Sequence, residues 1–196
     1  LALRHRELAL RDMSKRDMTF QYLAEAWKTL NDDSMYVATL QKGFKEYPTS
    51  NYFFPRLMDH YTQIRQYEEA LDVVDAALEA DSLSELYLYA KSNVLMQLER
   101  YAESLDYTDK LLTLNDKQAD AYYNGGSAYL NIALRMDPQR HKKQLKDMYQ
   151  KALPYMEKYR ALAPTEIQKW GPALYRSYFN LNMGKQFDEI DKILKK

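Results

Sequence analysis

The stretch that decides the fold is Asn51-Tyr52-Phe53-Phe54-Pro55-Arg56-Leu57-Met58-Asp59-His60-Tyr61, followed closely by Gln66-Tyr67-Glu68-Glu69-Ala70-Leu71. Phe54, Leu57 and Tyr61 recur at three- and four-residue steps, the spacing that gathers side chains on one face of a helix. Leu71, Val74, Ala77 and Leu78 do the same after the turn Arg65-Gln66-Tyr67. Two short amphipathic helices therefore form a hairpin. Such a hairpin cannot cover its own apolar faces and must lie against another element.

Stepping outward in 34s shows what it lies against. Phe54 is matched by Phe20, Leu88 and Tyr122, and Tyr61 by Trp27, Leu95 and Tyr129. Ile64 is matched by Leu30, Leu98 and Ile132, Leu71 by Val37 and Leu105, and Leu78 by Phe44 and Leu112. Ala24, Ser92 and Gly126 are small where helices would cross, with Met58 as the exception; small side chains let helix axes approach. The turns recur as Asn31-Asp32-Asp33 and Glu99-Arg100-Tyr101. A fixed period of hairpins is the mark of a stacked repeat protein, in which each copy covers its neighbour. Five glycines and six prolines are too few for an all-β chain, which needs turn residues about every 8–12 positions. The fold class expected is all-α.

These residues resemble the tetratricopeptide repeat. That family carries a bulky residue, a leucine next to a small residue, and a tyrosine on its first helix, with a small residue on its second; the unit often closes on proline. Residues 51–84 match best, and Arg100-Tyr101-Ala102-Glu103-Ser104-Leu105 repeats the opening of the second helix. Pro48 and Pro164 stand at closing positions. Lys91 occupies a leucine site, and Tyr36 stands where alanine is usual. The resemblance implies one domain, a right-handed α-solenoid of stacked antiparallel helix pairs. Repeats are expected at 17–50, 51–84 and 85–118, with an extended repeat at 119–165 and a last repeat or cap at 166–196. Residues 1–16 read as an N-terminal helix, a cap or part of an earlier repeat. The fourth repeat carries a 14-residue insertion around Arg135 to Arg140, which lengthens both its helices. A first helix is expected near Trp170 to Asn182, and a short final helix from Phe187 to Leu194.

Composition narrows function. Lys plus Arg is 28 and Asp plus Glu is 28, so the formal charge is 28 − 28 = 0. A neutral chain has no global field to hold a polyanion, which argues against nucleic acid as the partner. There is no cysteine, hence no disulfide, thiolate metal site or thiol nucleophile. No apolar run approaches the roughly 18 residues needed for a membrane span. Leu1 opens the chain with no ordered leader signal, so a truncated piece and a mature form are both compatible. The compartment stays open between cytoplasmic and exported.

His5, His60 and His141 form no metal-ligating pair, and Gly125-Gly126 lacks the strand and lysine of a phosphate loop. Gly126 reads as a helix-packing position and Pro154 as a helix kink. Arg140-His141-Lys142-Lys143 reads as a solvated face at the hairpin tip. No catalytic residue, cofactor or metal is expected, and the chain reads as a non-enzyme.

Tyrosine is abundant, 18 of 196. Several tyrosines fall outside the packing positions. In the resembled family one face of each first helix lines a concave groove. Here those faces offer Tyr52, Arg56, Asp59 and Gln63, then Tyr89, Asn93 and Gln97, then Tyr123, Asn124, Ser127 and Asn131, with Gln21, Glu25 and Lys28 in the preceding repeat. Tyrosine and arginine contribute large contact areas and are enriched where partners bind. The expected function is a scaffold binding a protein or peptide; the alternative is a small-ligand or glycan-binding accessory of a bacterial envelope or uptake system. Some members of the family clamp a carboxylate tail. Asn93 and Asn124 fall where two of their asparagines would, but Tyr89 replaces a lysine and the distal basic pair would have to come from the region of Lys169 and Arg176, after the insertion that disturbs the register, so that activity is not expected.

Overall fold

The computed structural model describes residues 16–195, and the N-terminal helix expected over Leu1 to Met13 lies outside them. The described residues form ten α-helices and no strand. They fall into two compact units, one running to Ser82 and the other starting at Leu83.

The first unit holds α1 (Arg16–Thr29), α2 (Asp33–Glu46), α3 (Phe53–Gln63) and α4 (Tyr67–Ala80). The second holds α5 (Glu85–Gln97), α6 (Tyr101–Leu114), α7 (Ala119–Leu134), α8 (Lys142–Leu162), α9 (Ile167–Asn180) and α10 (Gly184–Leu194). Within each unit consecutive helices pack on one another; in the second, the first helices α5, α7 and α9 also touch in sequence. This is an α-solenoid of helix pairs.

The turns inside the hairpins are built one way. Asn31, Arg65, Glu99 and Asn182 are left-handed, with φ of 54°, 58°, 60° and 56°. Each closes its helix with a pair of backbone bonds. Arg65 N donates to Thr62 O at 3.2 Å and Gln66 N to Tyr61 O at 2.8 Å. Glu99 N donates to Met96 O and Arg100 N to Leu95 O, and Asn182 and Met183 repeat the pattern. This Schellman closure satisfies carbonyls that a helix end leaves without partners. Three of the four sites lie 34 residues apart, so the period read from apolar side chains is also a period of backbone geometry. The α7–α8 hairpin lacks a left-handed residue. The insertion replaces it, and its helices are 16 and 21 residues long against 11 to 14 elsewhere.

The apolar positions do the packing, with one correction. Leu57, Leu95, Val74 and Leu111 are fully buried, and Phe54 and Tyr61 nearly so. Leu30 and Ile64, expected to share this role, are 64% and 50% exposed. They stand where the helix is already unwinding into the left-handed turn, so they point past the neighbouring helix. Lys91, at the leucine site, is buried with its ammonium 4.9 Å from the Tyr107 ring centre. Ser92, Ser104 and Thr108 form a buried hydroxyl cluster between α5 and α6, with Ser92 Oγ 2.7 Å from Thr108 Oγ1. Ser104 also donates to the Ser92 carbonyl at 2.9 Å. A Cβ added to Gly126 would lie 2.7 Å from Met156 Cε, so absence of a side chain lets α7 and α8 close together.

Candidate functional site

In the first unit α1 and α3 bring together Glu25, Tyr52 and Arg56. The Tyr52 hydroxyl donates to Glu25 Oε1 at 2.6 Å, and Arg56 Nε lies 3.6 Å from the same oxygen. The guanidinium stacks 3.6 Å from the centre of the Tyr52 ring, and Arg56 also donates to the Tyr52 carbonyl. Burial and then the Glu25 hydrogen bond push the Tyr52 phenol well above its ordinary value near 10. Buried Tyr36 lies in the same electrostatic neighbourhood: burial raises its phenol, Arg56 lowers it, and Glu25 and Asp59 raise it. Lys28 sits 5.9 Å from that ring. Asp59 and Gln63 are exposed along α3. The charges here are largely spent on one another.

In the second unit three first helices converge. Tyr123 is half-buried on α7, its ring 5.2 Å from that of Tyr159 on α8. Lys169 of α9 places its ammonium 5.7 Å from the Tyr123 ring and 3.2 Å from Glu166. Its pKa is raised, chiefly by that Glu166 bond and then by Tyr159. Tyr89 of α5 is raised by burial, raised further by Asp120 and lowered by Lys169, so its phenol shares this field. A cleft of about 250 Å³ runs between α7, α8 and α9. Tyr123, Ser127 and Asn131 line one side, and Gln168, Lys169 and Arg176 the other.

The predicted residues thus separate by place. Tyr89, Tyr123, Ser127 and Asn131 collect in the second unit, while Tyr52, Arg56, Asp59 and Gln63 sit in the first. Asn93 and Gln97 are exposed on α5. Asn124 is 6% exposed and directs its amide at Ser92 Oγ, 3.4 Å away. It extends the buried hydroxyl cluster to a third helix and does not line a surface.

Neither a family model nor a curated protein matches the sequence. Solved structures do. MamA 41-end from Desulfovibrio magneticus RS-1 superposes with a TM-score of 0.69 at 16% identity, covering 94% of this chain and 98% of that one. YrrB, described as a TPR protein with an unusual peptide-binding site, gives 0.63 at 17% identity, over 96% and 88%. The C-terminal part of a TPR repeat-containing protein from Cytophaga hutchinsonii gives 0.66 at 15% identity, over 90% and 67%. The chain has the tetratricopeptide-repeat fold.

Within a tetratricopeptide array the residues that sequence reading missed or placed only loosely become intelligible. Gln168, Lys169 and Arg176 belong to the first helix of the fifth hairpin, which faces the cleft as α7 does. Sequence reading reaches Lys169 and Arg176 only as the region of a basic pair, because the insertion disturbs the 34-residue ladder, and it does not reach Gln168. Asp120 and Tyr159 escaped because one lies a turn before the tyrosine stripe and the other on a second helix. No described helix is long and apolar enough to cross a membrane.

Proposed function

We propose that the chain is a non-catalytic scaffold that binds a polypeptide partner along the first-helix surface of its second unit, with Tyr89, Tyr123, Ser127, Asn131, Lys169 and Arg176 as the contacting residues. The carrying observation is the cleft between α7, α8 and α9, open and small, with aromatic, amide, hydroxyl and cationic groups on facing walls. An open cleft of this volume suits single side chains of an extended partner; drug-sized ligands usually fill about 300–1,000 Å³ with most of their surface enclosed. Neutral amide and hydroxyl groups beside two cations favour a partner with backbone carbonyls or carboxylates to offer. YrrB, a solved neighbour, is described as having a peptide-binding site, which accords with this reading.

The test is a random peptide display selection on the intact chain, run beside a glycan array. Selected peptides should lose binding to Tyr123→Ala, which also loosens the packing of its ring on Tyr159, and to Lys169→Gln and Arg176→Gln, with melting temperature unchanged in the two variants of exposed cations. Tyr89→Ala should behave likewise, whereas Tyr61→Ala, at a 5% exposed position, should cost about 3–5 kcal/mol of stability. If all of these variants destabilised equally, the tyrosine and lysine would be packing groups and the proposal would fail. Glycan binding without peptide binding would replace it with the small-ligand alternative.

A further inference from the structure

A cavity of about 380 Å³ lies between α6, α7 and α8 and shares no residue with the cleft. Asp109, Leu112 and Thr113 of α6, Tyr122 of α7, and Pro154 and Tyr155 of α8 line it. Two residues that helices usually avoid shape its walls. A Cβ added to Gly125 would lie 2.5 Å from Tyr155 Cδ1, so the bare glycine lets the Tyr155 ring lie against α7. Pro154 stands exposed inside α8 and brings an apolar ring with no N–H to donate. The Tyr155 ring centre lies 6.1 Å from that of Tyr122, edge to face at 61°, and 5.8 Å from that of Tyr129.

The lining is one-sided in what it offers. The Tyr155 hydroxyl donates to Asp109 Oδ1, and the Thr113 hydroxyl donates to the Asp109 carbonyl at 2.8 Å, so both of those donors are spent. Ring faces and an exposed carboxylate remain. Among the described residues no arginine or lysine side chain lines the cavity: Lys110 lies 4.8 Å from the Tyr107 ring centre, and Lys151 bonds Asp147 at 2.9 Å. Burial pushes the Tyr155 phenol well above its ordinary value near 10, the Asp109 hydrogen bond and charge push it further, and no cation opposes them. Two other tyrosine–carboxylate pairs differ on this one point. Tyr52 donates to Glu25 and Tyr178 to Glu157, and an arginine draws each phenol down, Arg56 in the first and Arg160 in the second. Arg56 shows how such a pair takes a cation: its guanidinium lies 3.6 Å from the Tyr52 ring centre, with Nε 3.6 Å from the carboxylate oxygen.

We propose that the cavity bounded by Asp109, Tyr122 and Tyr155 is a binding site for an organic cation, an ammonium or guanidinium group carried by a small molecule or by a side chain of another polypeptide. The cation rests on the tyrosine rings with Asp109 beside it, as Arg56 rests on Tyr52 beside Glu25. The ring quadrupole attracts a cation over a tyrosine face, and aromatic walls of this kind recognise alkylated ammonium groups. Asp109 holds the Tyr155 hydroxyl and so fixes one wall before the ligand arrives, which keeps the ordering cost of binding low.

The test titrates three probes into the intact chain by saturation-transfer difference NMR: choline, its neutral isostere with carbon in place of nitrogen, and a blocked tripeptide centred on trimethyllysine. At least one of the two cations should bind saturably, and the isostere about fivefold or more weakly than choline where choline binds. Whichever cation binds tighter identifies the source, a free small molecule or a polypeptide side chain. Asp109→Asn keeps an acceptor for the Tyr155 hydroxyl but removes the charge, and it should weaken cation binding about three- to tenfold. Asp109 is exposed, so that variant stays folded, as a melting curve would verify. Tyr122→Leu, which removes a ring and keeps an apolar side chain, should weaken binding likewise. Asp109→Asn should leave the peptides selected for the cleft bound as before, so the two proposals fail separately. Saturable binding of neither cation, equal binding of the neutral isostere, or indifference to Asp109→Asn overturns the proposal.

Discussion

Replacing Arg65 by glycine should stabilise the protein, although it removes a side chain and adds none. Arg65 closes α3 at φ 58°, where its Cβ crowds the neighbouring carbonyl. That crowding costs an L-residue about 1–2 kcal/mol, and glycine is free of it. Against the gain stands the greater freedom of glycine in the unfolded chain, about 0.4–1 kcal/mol. The balance is a gain of about 0.5–1 kcal/mol. Both backbone bonds of the turn, from Arg65 N and Gln66 N, survive the change because neither uses the side chain. Urea denaturation followed by circular dichroism would read the shift, and melting should rise by about 1–4 °C for a chain of this size. Arg65→Ala is the control: it removes the same side-chain atoms but keeps the crowded Cβ, so its stability should match the parent. If alanine stabilised as much as glycine, the arginine side chain would be the source and the argument from backbone geometry would be wrong. A loss of stability with glycine would refute it outright.

Other outcomes follow from the packing. Gly43→Ala should destabilise by about 1–3 kcal/mol in the same denaturation assay, because the added methyl would overlap the ring of fully buried Phe53 and overpacking outweighs alanine's better helix propensity. Ser92→Ala should cost about 1–2 kcal/mol, since the hydroxyls of Thr108 and Ser104 and the Asn124 amide all approach Ser92 Oγ. Stability should fall in alkali. Burial raises the phenols of Tyr61, Tyr149 and Tyr159 above their ordinary value near 10, so these groups favour the folded state while neutral. Their contribution is complete below pH 10 and is lost as pH climbs above 10 through the raised folded values. Denaturation midpoints measured from pH 8 to 12 should therefore hold and then drop, with tyrosinate absorbance rising as unfolding proceeds.

What could be read in advance depended on whether a position must be apolar. Phe54, Leu57, Tyr61 and their counterparts meet a neighbouring helix in every repeat, and chemistry allows few substitutes there. Their recurrence was legible without any structure. The left-handed turns were not. Schellman closures usually advertise themselves with glycine, yet Asn31, Arg65, Glu99 and Asn182 do the work here. Leu30 and Ile64 misled in the opposite sense: they kept the apolar register but stood beside those turns, where the helix no longer faces its neighbour. Asn124 kept a groove position in the count of residues and a core position in space. A polar side chain is ambiguous until its partner is known, and its partner, Ser92, sits 32 positions away. Lys169 and Arg176 were legible only as the region of a basic pair and not as a cleft wall, since the insertion disturbs the register of every later residue.

The placement of polar groups in the second unit suggests how such a protein can change its binding without changing its fold. On α7, Ala121, Gly125, Gly126 and Ala128 are buried and small, and they set how closely α6 and α8 approach. Tyr123, Ser127 and Asn131 lie on the next stripe around the same helix, half-covered by α9. A substitution on the first stripe alters interaxial distance and is felt through the unit. A substitution of Ser127 or Asn131 on the second alters the cleft wall, while Tyr123 also rests its ring on Tyr159. Because a helix turns about 100° per residue, the two stripes interleave in sequence while remaining apart in space. The abundance of tyrosine fits that division. Buried Tyr149, Tyr159 and Tyr178 use the ring to fill space, and Tyr178 sends its hydroxyl to Glu157 at 2.9 Å. Tyr123 offers part of the same ring to whatever enters the cleft. One residue type thus serves packing and contact, and only its stripe on the helix decides which.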